Sequence, residues 1–314
     1  MFAIRQHEFG PAENLRFEEV PDPEPGPGQV RVTVAAVGVH FVDTIIRKGG
    51  FGPVDFPTTP GREVAGVVTA VGAGVTSDWV GRRVVTHLGM GGGGYAELAV
   101  AAVEALHPVP DDVSFEAAVA MIGTGRTVVG VLDVARLTAD DVVLVTSAAG
   151  GMGTLFVQEA RAVGAQVIGL ASGTKLDHVM ANGADAAIDY TRPGWGDALK
   201  DITVVLDGVG GEVGTAALRT LGVGGRTIIY GWASGTATDT SVDNLYPKSL
   251  TAVVALGPGL LRRGLRALED ESMAGLASGR FVPAVNPPFA LKDAARAHEA
   301  LESRATVGKV VLKP

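Results

Sequence analysis

No cysteine occurs among the 314 residues. That excludes disulfides, thiolate zinc ligands, iron–sulfur clusters and a cysteine nucleophile. Histidine is also sparse: His7, His40, His87, His107, His178 and His298 show none of the paired spacing of a metal-binding helix. No apolar run approaches the ~20 residues of a membrane-spanning helix, and Met1–Gly10 lacks an apolar signal-peptide core. Positive charge is outnumbered, with 26 Lys and Arg against 34 Asp and Glu and a net charge of −8. That balance works against unspecific binding to nucleic acid or an anionic membrane. A soluble, cytoplasmic protein with no nucleic-acid or membrane partner and no metal is expected.

What is present points to a globular chain, 46% hydrophobic and 19% charged and long enough for two cores. The first third is rich in turns. Pro21–Gly28 (PDPEPGPG) is too stiff for a helix or a central strand. Val30–Val37 alternates apolar and polar residues as a half-buried strand does, and Val64–Val71, Arg83–Thr86 and Tyr95–Val100 also read as strands. Together they predict a compact β domain. Ser114 is a candidate N-cap, and beyond it short apolar strands alternate with helical patterns. These strands are Val142–Thr146, Gln166–Leu170, Ala186–Ile188, Thr203–Leu206, Arg226–Tyr230 and Thr251–Leu256. Continuous Val/Ile/Leu runs imply strands covered on both faces, hence a doubly wound parallel sheet and an α/β fold. A helix over Ala294–Leu301 and a strand over Lys309–Leu312 are expected to rejoin the first domain, since six strands already complete the sheet.

The most informative segment is Val142–Gly153. A strand runs into a small-residue turn that opens a helix at Gly151, with Ala148, Gly150 and Gly153 in the three slots of the dinucleotide fingerprint. Such a turn lets backbone approach a pyrophosphate and points helix N–H groups at its charge. Gly164 is suited to end that helix in left-handed geometry before the second strand. An NAD site normally places an acid there for the ribose 2′-hydroxyl. Between Ala160 and Leu176 there is none; Ser172, Gly173, Thr174 and Lys175 stand instead. Hydroxyls and a cation suit a 2′-phosphate, so NADPH is the expected cofactor. A second glycine cluster, Asp207–Gly211, is either the floor beneath the nicotinamide ribose or a plain tight turn.

Several motifs together resemble the zinc-independent quinone oxidoreductases, of the zeta-crystallin type, in the medium-chain dehydrogenase/reductase superfamily. They are GVHFVDTIIRKG (Gly38–Gly49), PGREVAGVVTAVG (Pro60–Gly72), the fingerprint, DGVGG (Asp207–Gly211), GGRTIIYG (Gly224–Gly231) and LESRATVGKVVL (Leu301–Leu312). The resemblance implies a GroES-like β-rich domain over residues 1–115, completed by 259–314. A Rossmann NADPH-binding domain would occupy 116–258. It implies hydride transfer from NADPH to a quinone and a homodimer formed through Thr251–Leu256. Conjugated-enone (2-alkenal) reduction is the enzymatic alternative. A cofactor-binding protein of little activity, crystallin-like or RNA-binding, is the other.

By the same resemblance, Gly150, Gly151, Met152 and Gly153 cradle the pyrophosphate, Ser172 and Lys175 hold the 2′-phosphate, and Tyr190 lies over the adenosine ribose. Val209, Gly231, Trp232 and Leu256 fall where the family contacts the nicotinamide half. His40, Ile45 and Phe51 face the substrate. The zinc-dependent branch has Cys in place of His40 and His in place of Arg62, which leaves Glu63 as a poor zinc site. The family usually has Asn at His40 and often Tyr at Ile45 and Phe51. His40 is either a packed imidazole bonded to backbone or the donor to the oxyanion that forms on hydride arrival. Asp43 is expected to be structural, fixing Arg47 or backbone.

Overall fold

The computed structural model describes residues 1–314, the side chain of Leu261 excepted. The chain divides into two compact units, residues 1–124 with 272–314, and residues 125–271. In chain order the first unit contributes strands β1 (Phe2–Gln6), β2 (Leu15–Glu19) and β3 (Gln29–Val39), and helix α1 (Phe41–Arg47). Strands β4 (Glu63–Val71), β5 (Arg83–His87), β6 (Leu98–Ala102) and β7 (His107–Pro108) follow, then helix α2 (Phe115–Ile122). Ser114 caps α2 as expected, accepting from the Ala117 N–H.

The middle of the chain alternates α3 (Thr124–Ala135), β8 (Val142–Val145), α4 (Gly151–Ala162), β9 (Gln166–Ala171), α5 (Leu176–Ala181) and β10 (Ala186–Asp189). It continues with β11 (Ile202–Asp207), α6 (Gly211–Arg219), β12 (Leu221–Ile229), α7 (Val242–Leu245), β13 (Thr251–Val254) and α8 (Leu265–Ala277). The tail adds β14 (Phe289–Ala290), α9 (Ala294–Glu302) and β15 (Val310–Lys313).

In the first unit the larger sheet runs β14-β15-β3-β4-β5-β7, with β6 also paired to β3, so the tail does rejoin the N-terminal strands. Antiparallel pairing of β15 with β3 places Val310 opposite Val39. The core gathers Ile4, Val34, Val37, Val64, Tyr95, Ala297, Val310 and Leu312. In the second unit a parallel sheet runs β10-β9-β8-β11-β12-β13. Its centre is buried, with Val143, Leu144, Val167, Leu170, Val204 and Val205 inaccessible to solvent. The edge strands are not covered on both faces: β10 is half-buried throughout, and Val254 of β13 is 62% exposed.

Two expectations shift. The strand expected over Tyr95–Val100 starts at Leu98, because Tyr95 turns inward and its carbonyl accepts from Ile4 N–H. The units divide at Thr124 and Glu271, beyond 115 and 258. Helix α2 packs on β3, β4 and β5, and Ser272 Oγ donates to the Met121 carbonyl at 2.8 Å, which ties both stretches to the first unit.

Candidate functional site

The residues singled out from sequence fall into two groups, one in each unit. In the second unit they cluster at the carboxyl ends of the parallel strands, where ligands of doubly wound sheets bind. Ser147 takes a left-handed conformation (φ 53°) and accepts from the Gly150 N–H, which reverses the chain between β8 and α4. Gly150 is the N-cap of α4. Thr154 is the first residue whose N–H meets a helical carbonyl, Gly150 O at 2.9 Å. The N–H groups of Gly151, Met152 and Gly153 therefore have no partner within the helix and point out of its N-terminus. A Cβ on Gly153 would lie 2.1 Å from Ser147 O and 2.7 Å from Ala148 Cα, so only glycine lets α4 start this close to the strand.

The neighbouring turn joins this one. Ala148 N–H donates to Leu170 O, and Tyr190 N–H to Ala171 O, which sets Ser172–Lys175 and Tyr190 beside the fingerprint. Ser172 and Lys175 bracket a single helical turn closed by Lys175 N–H to Ser172 O at 2.8 Å. Tyr190 is half-buried against the sheet core rather than an exposed strand-end aromatic. An acid that local sequence did not reveal also reaches this loop. Asp189 Oδ2 lies where a Cβ on Gly173 would meet it at 2.7 Å. Its carboxylate is occupied, accepting from Thr191 N–H and Oγ1 and pairing with Arg192 at 3.5 Å.

At the end of β11, the buried Asp207 organises the second glycine cluster. Its Oδ1 accepts from Thr146 Oγ1, Val209 N–H and Gly210 N–H, and its Oδ2 from Thr238 Oγ1. Gly210 and Gly211 both have positive φ, so the segment is a tight turn with its own hydrogen-bond anchor. Val209 is consequently half committed: its N–H goes to Asp207 and its carbonyl accepts from Ser234 N–H. Only the second lone pair of that carbonyl is left for a ligand. Gly231 packs against Gly208, where an added Cβ would meet Gly208 O at 3.1 Å. Trp232 is 53% exposed, with its Cβ backing Gly210, and Leu256 is half-buried just past β13.

In the first unit, His40 is the residue before α1, Ile45 is half-buried within it, and Phe51 is 57% exposed in the loop beyond. The His40 side chain and Asp43 form a capping box at the start of α1, each facing the other's backbone N–H. The His40 Nε2 lies 2.7 Å from Glu63 Oε2 and 2.9 Å from Lys309 Nζ. Lys309 also donates to Glu63 Oε2 at 2.9 Å and to Thr124 Oγ1 at 3.2 Å. Glu63 is wholly buried, in space kept clear by Gly38 and Gly123, whose Cβ atoms would lie 2.2 and 1.7 Å from its carboxylate oxygens. Burial alone would raise the Glu63 carboxyl. The charges of His40 and Lys309, the His40 hydrogen bond and His87 outweigh it and hold the carboxyl well below the usual range. Burial lowers the Lys309 ammonium despite Glu63.

Asp43 fixes backbone as expected, accepting from His40 N–H at 2.8 Å. Its side-chain partner is Arg62 at 3.2 Å rather than Arg47. Arg47 turns inward instead, donating to Gly10 O, His298 Nδ1 and Glu302. Since Arg47 donates to Nδ1, the proton of His298 sits on Nε2, which donates to Tyr95 Oη at 3.0 Å; Tyr95 O–H then donates to Asp43 Oδ2. Burial pushes His298 down to about 4.

The residues that sequence reading missed are Lys309, Thr124 and Asp207. Lys309 stood inside a quoted motif as the first residue of a strand. A lone lysine opening an all-apolar strand is a signal, because its side chain must be buried with a partner or turned out to water.

Comparison with known proteins matches the alcohol dehydrogenase GroES-like domain over residues 26–111 and the zinc-binding dehydrogenase family over residues 182–312. Quinone oxidoreductase of Salmonella typhimurium is 35% identical over 334 aligned residues, covering 99% of each chain. A 2-haloacrylate reductase of Burkholderia is 33% identical, covering 98% of this chain and 97% of its own. The crystal structure of Escherichia coli quinone oxidoreductase complexed with NADPH superposes with a TM-score of 0.88 at 32% identity over 100% of both chains. Zinc, which one family description names, does not fit the donors present. The Lys309 ammonium occupies the lone pairs of Glu63 Oε2 and faces His40 Nε2, and Arg62 fills the position next to Glu63. The chain belongs to the quinone oxidoreductase family of the medium-chain dehydrogenase/reductase superfamily, in its zinc-independent branch.

Proposed function

We propose that this protein is an NADPH-dependent quinone oxidoreductase that works without zinc. The observation that carries the reading is the fingerprint turn with its three outward N–H groups, beside a loop offering Ser172 and Lys175 in place of a ribose-binding acid. Full-length relatives bearing the quinone oxidoreductase name support it. NADPH, when bound, supplies a hydride and thus two electrons to the acceptor. Gly151, Met152 and Gly153 hold the pyrophosphate through backbone N–H groups, and Gly150 through the close approach its missing side chain allows. Ser172 and Lys175 pair with the 2′-phosphate, and Tyr190 covers the adenosine ribose. Val209 through its carbonyl, with Gly231, Trp232 and Leu256, borders the nicotinamide half.

His40 carries the acceptor's developing negative charge through a hydrogen bond, and Ile45 and Phe51 give it an apolar wall. Quinones and conjugated enones need little polarisation before hydride arrival, so one donor suffices. We further propose a homodimer through β13, whose outer ladder side is unpaired within the chain and whose Val254 is exposed. Among the described residues no single helix is long and apolar enough to cross a membrane. With the net charge of −8, this supports a cytoplasmic location and small-molecule partners only.

The 2-haloacrylate reductase among the relatives favours conjugated-enone reduction as the second reading. Parallel turnover of a naphthoquinone and a 2-alkenal, each with NADPH and NADH, separates the readings. Faster quinone reduction with NADPH is expected. Turnover of the alkenal alone moves the protein to the enone reductases, and tight NADPH binding without turnover makes it a binding protein.

A further inference from the structure

Asp43 does more than cap α1. Its two carboxylate oxygens hold different partners: Oδ2 accepts from His40 N–H at 2.8 Å, and Oδ1 from Arg62 Nε at 3.2 Å. One buried acid thus sets the Arg62 guanidinium beside His40. The backbone behind it is fixed as well. Leu88 N–H donates to Arg62 O at 2.7 Å, and Gly61 (φ 90°) leaves no room for a Cβ against the Tyr95 ring. The Arg62 side chain is only 13% exposed. Held this way, the guanidinium has donors to spare, because Asp43 takes only the N–H on Nε. One terminal nitrogen rests 3.8 Å from Met90 Sδ, a weak acceptor on a side chain that is 67% exposed. The other has no hydrogen-bond partner among the described residues and is not sealed from solvent.

A cation this far from bulk water calls for acceptors at its fork. A guanidinium does not release its proton near neutral pH, so it cannot supply the proton that a reduced acceptor takes up. Its match is an oxygen group that stays charged, and the terminal pair of nitrogens fits two oxygens of a carboxylate or sulfonate at once. We propose that Arg62 is a specificity residue that binds a permanent anion on the acceptor. The preferred substrates are then quinones or conjugated enones that bear a carboxylate or sulfonate. This rests on the reading that His40, Ile45 and Phe51 face the acceptor. Asp43, 5% exposed, grips Nε and keeps the fork from turning away. Its own charge is shared among Arg62, His40 N–H and Tyr95 O–H, which softens its repulsion of the incoming anion. The exposed Met90 side chain is free to leave the fork when the anion arrives.

Two measurements test this on the intact protein. The first compares two naphthoquinones that differ at a single ring carbon, one bearing a sulfonate and the other a methyl group, with saturating NADPH. The readout is the ratio of their kcat/KM values, sulfonate over methyl, in wild type and in Arg62→Gln. The ratio is expected to fall about tenfold or more in the variant, the loss of a charge-assisted contact. An unchanged ratio, whatever the absolute rates, makes Arg62 only a structural partner of Asp43 and overturns the proposal. The second measurement needs no turnover. Naphthalene sulfonate and its neutral sulfonamide are titrated into the NADPH-loaded protein, whose phosphate-binding groups are then already filled. The sulfonate is expected to bind wild type about tenfold more tightly or better, with the preference lost in Arg62→Gln. Equal affinities in wild type overturn the proposal even where the variant does not fold. Absence of turnover of both quinones by the wild type refutes the quinone oxidoreductase reading instead, and the titration still decides the role of Arg62.

Discussion

Gly150 and Gly153 occupy equivalent-looking slots in the sequence but have different surroundings, and substituting each by alanine separates their roles. A Cβ at Gly153 meets backbone: Ser147 O at 2.1 Å and Ala148 Cα at 2.7 Å. Those atoms belong to a turn whose Ser147 already has φ 53° and cannot rotate away. Restoring ordinary contact distance moves the start of α4 outward by about 1 Å, and overpacking of this kind costs about 1–3 kcal/mol. For a unit of this size that lowers Tm by roughly 4–8 °C for every 2 kcal/mol. A Cβ at Gly150 meets only Ser147 Oγ at 3.1 Å and Ser147 O at 3.2 Å, at φ −81°, a conformation open to alanine. Its added methyl instead stands where the backbone approaches the pyrophosphate.

Gly153→Ala should therefore lose Tm and NADPH affinity together. Gly150→Ala should keep Tm within about 2 °C. It should still lose on the order of tenfold in Kd for NADPH, or about 1.4 kcal/mol. Thermal unfolding and fluorescence titration with NADPH measure both. An unchanged Tm for Gly153→Ala, or a loss of Tm confined to Gly150→Ala, refutes the packing account of this turn.

Other perturbations have equally definite outcomes. Lys175→Ala should weaken NADPH by about 10–100-fold, the value of a charge-assisted hydrogen bond, and leave NADH within about threefold; equal losses for both cofactors would remove the 2′-phosphate assignment. Glu63→Ala leaves the Lys309 ammonium buried without its counter-charge, at a cost of about 3–5 kcal/mol; a Tm within 2 °C of wild type, on a scale of roughly 2–4 °C per kcal/mol, would contradict the ion pairing. His298 is held neutral by burial, at about 4 against an unfolded 6.5. Its stabilising contribution is thus present above pH 6.5 and lost as the pH falls through about 4, a loss of about 3 kcal/mol. Urea unfolding at stepped pH should show this decline flattened in His298→Gln, and identical slopes in the two proteins would rule it out.

Local physics made much of the cofactor unit legible. Strand β9 occupies Gln166–Ala171, and Gly164 ends α4 with φ 89°. Both follow from apolar runs and a left-handed stop within a few residues of each other. The second glycine cluster admits two readings from sequence, because Asp207 decides it through Thr146 and Thr238, both distant in sequence. The surroundings of His40 were harder still. Glu63 and Lys309 stand 246 positions apart, and β3 lies between their strands in the sheet. Without that pairing nothing local says that a lysine at the start of an apolar strand meets a buried carboxylate. Asp189 shows the converse: the stretch from Ala160 to Leu176 lacks an acid in sequence, yet parallel pairing of β10 with β9 brings one to Gly173.

The most direct test of the functional account is the initial rate of NADPH oxidation with a naphthoquinone, followed by near-ultraviolet absorbance before and after treatment with a chelator. Rapid turnover that the chelator leaves unchanged, and that falls at least tenfold when NADH replaces NADPH, is the predicted result, tenfold corresponding to about 1.4 kcal/mol of discrimination. Turnover abolished by the chelator, or equal with the two cofactors, would contradict the account.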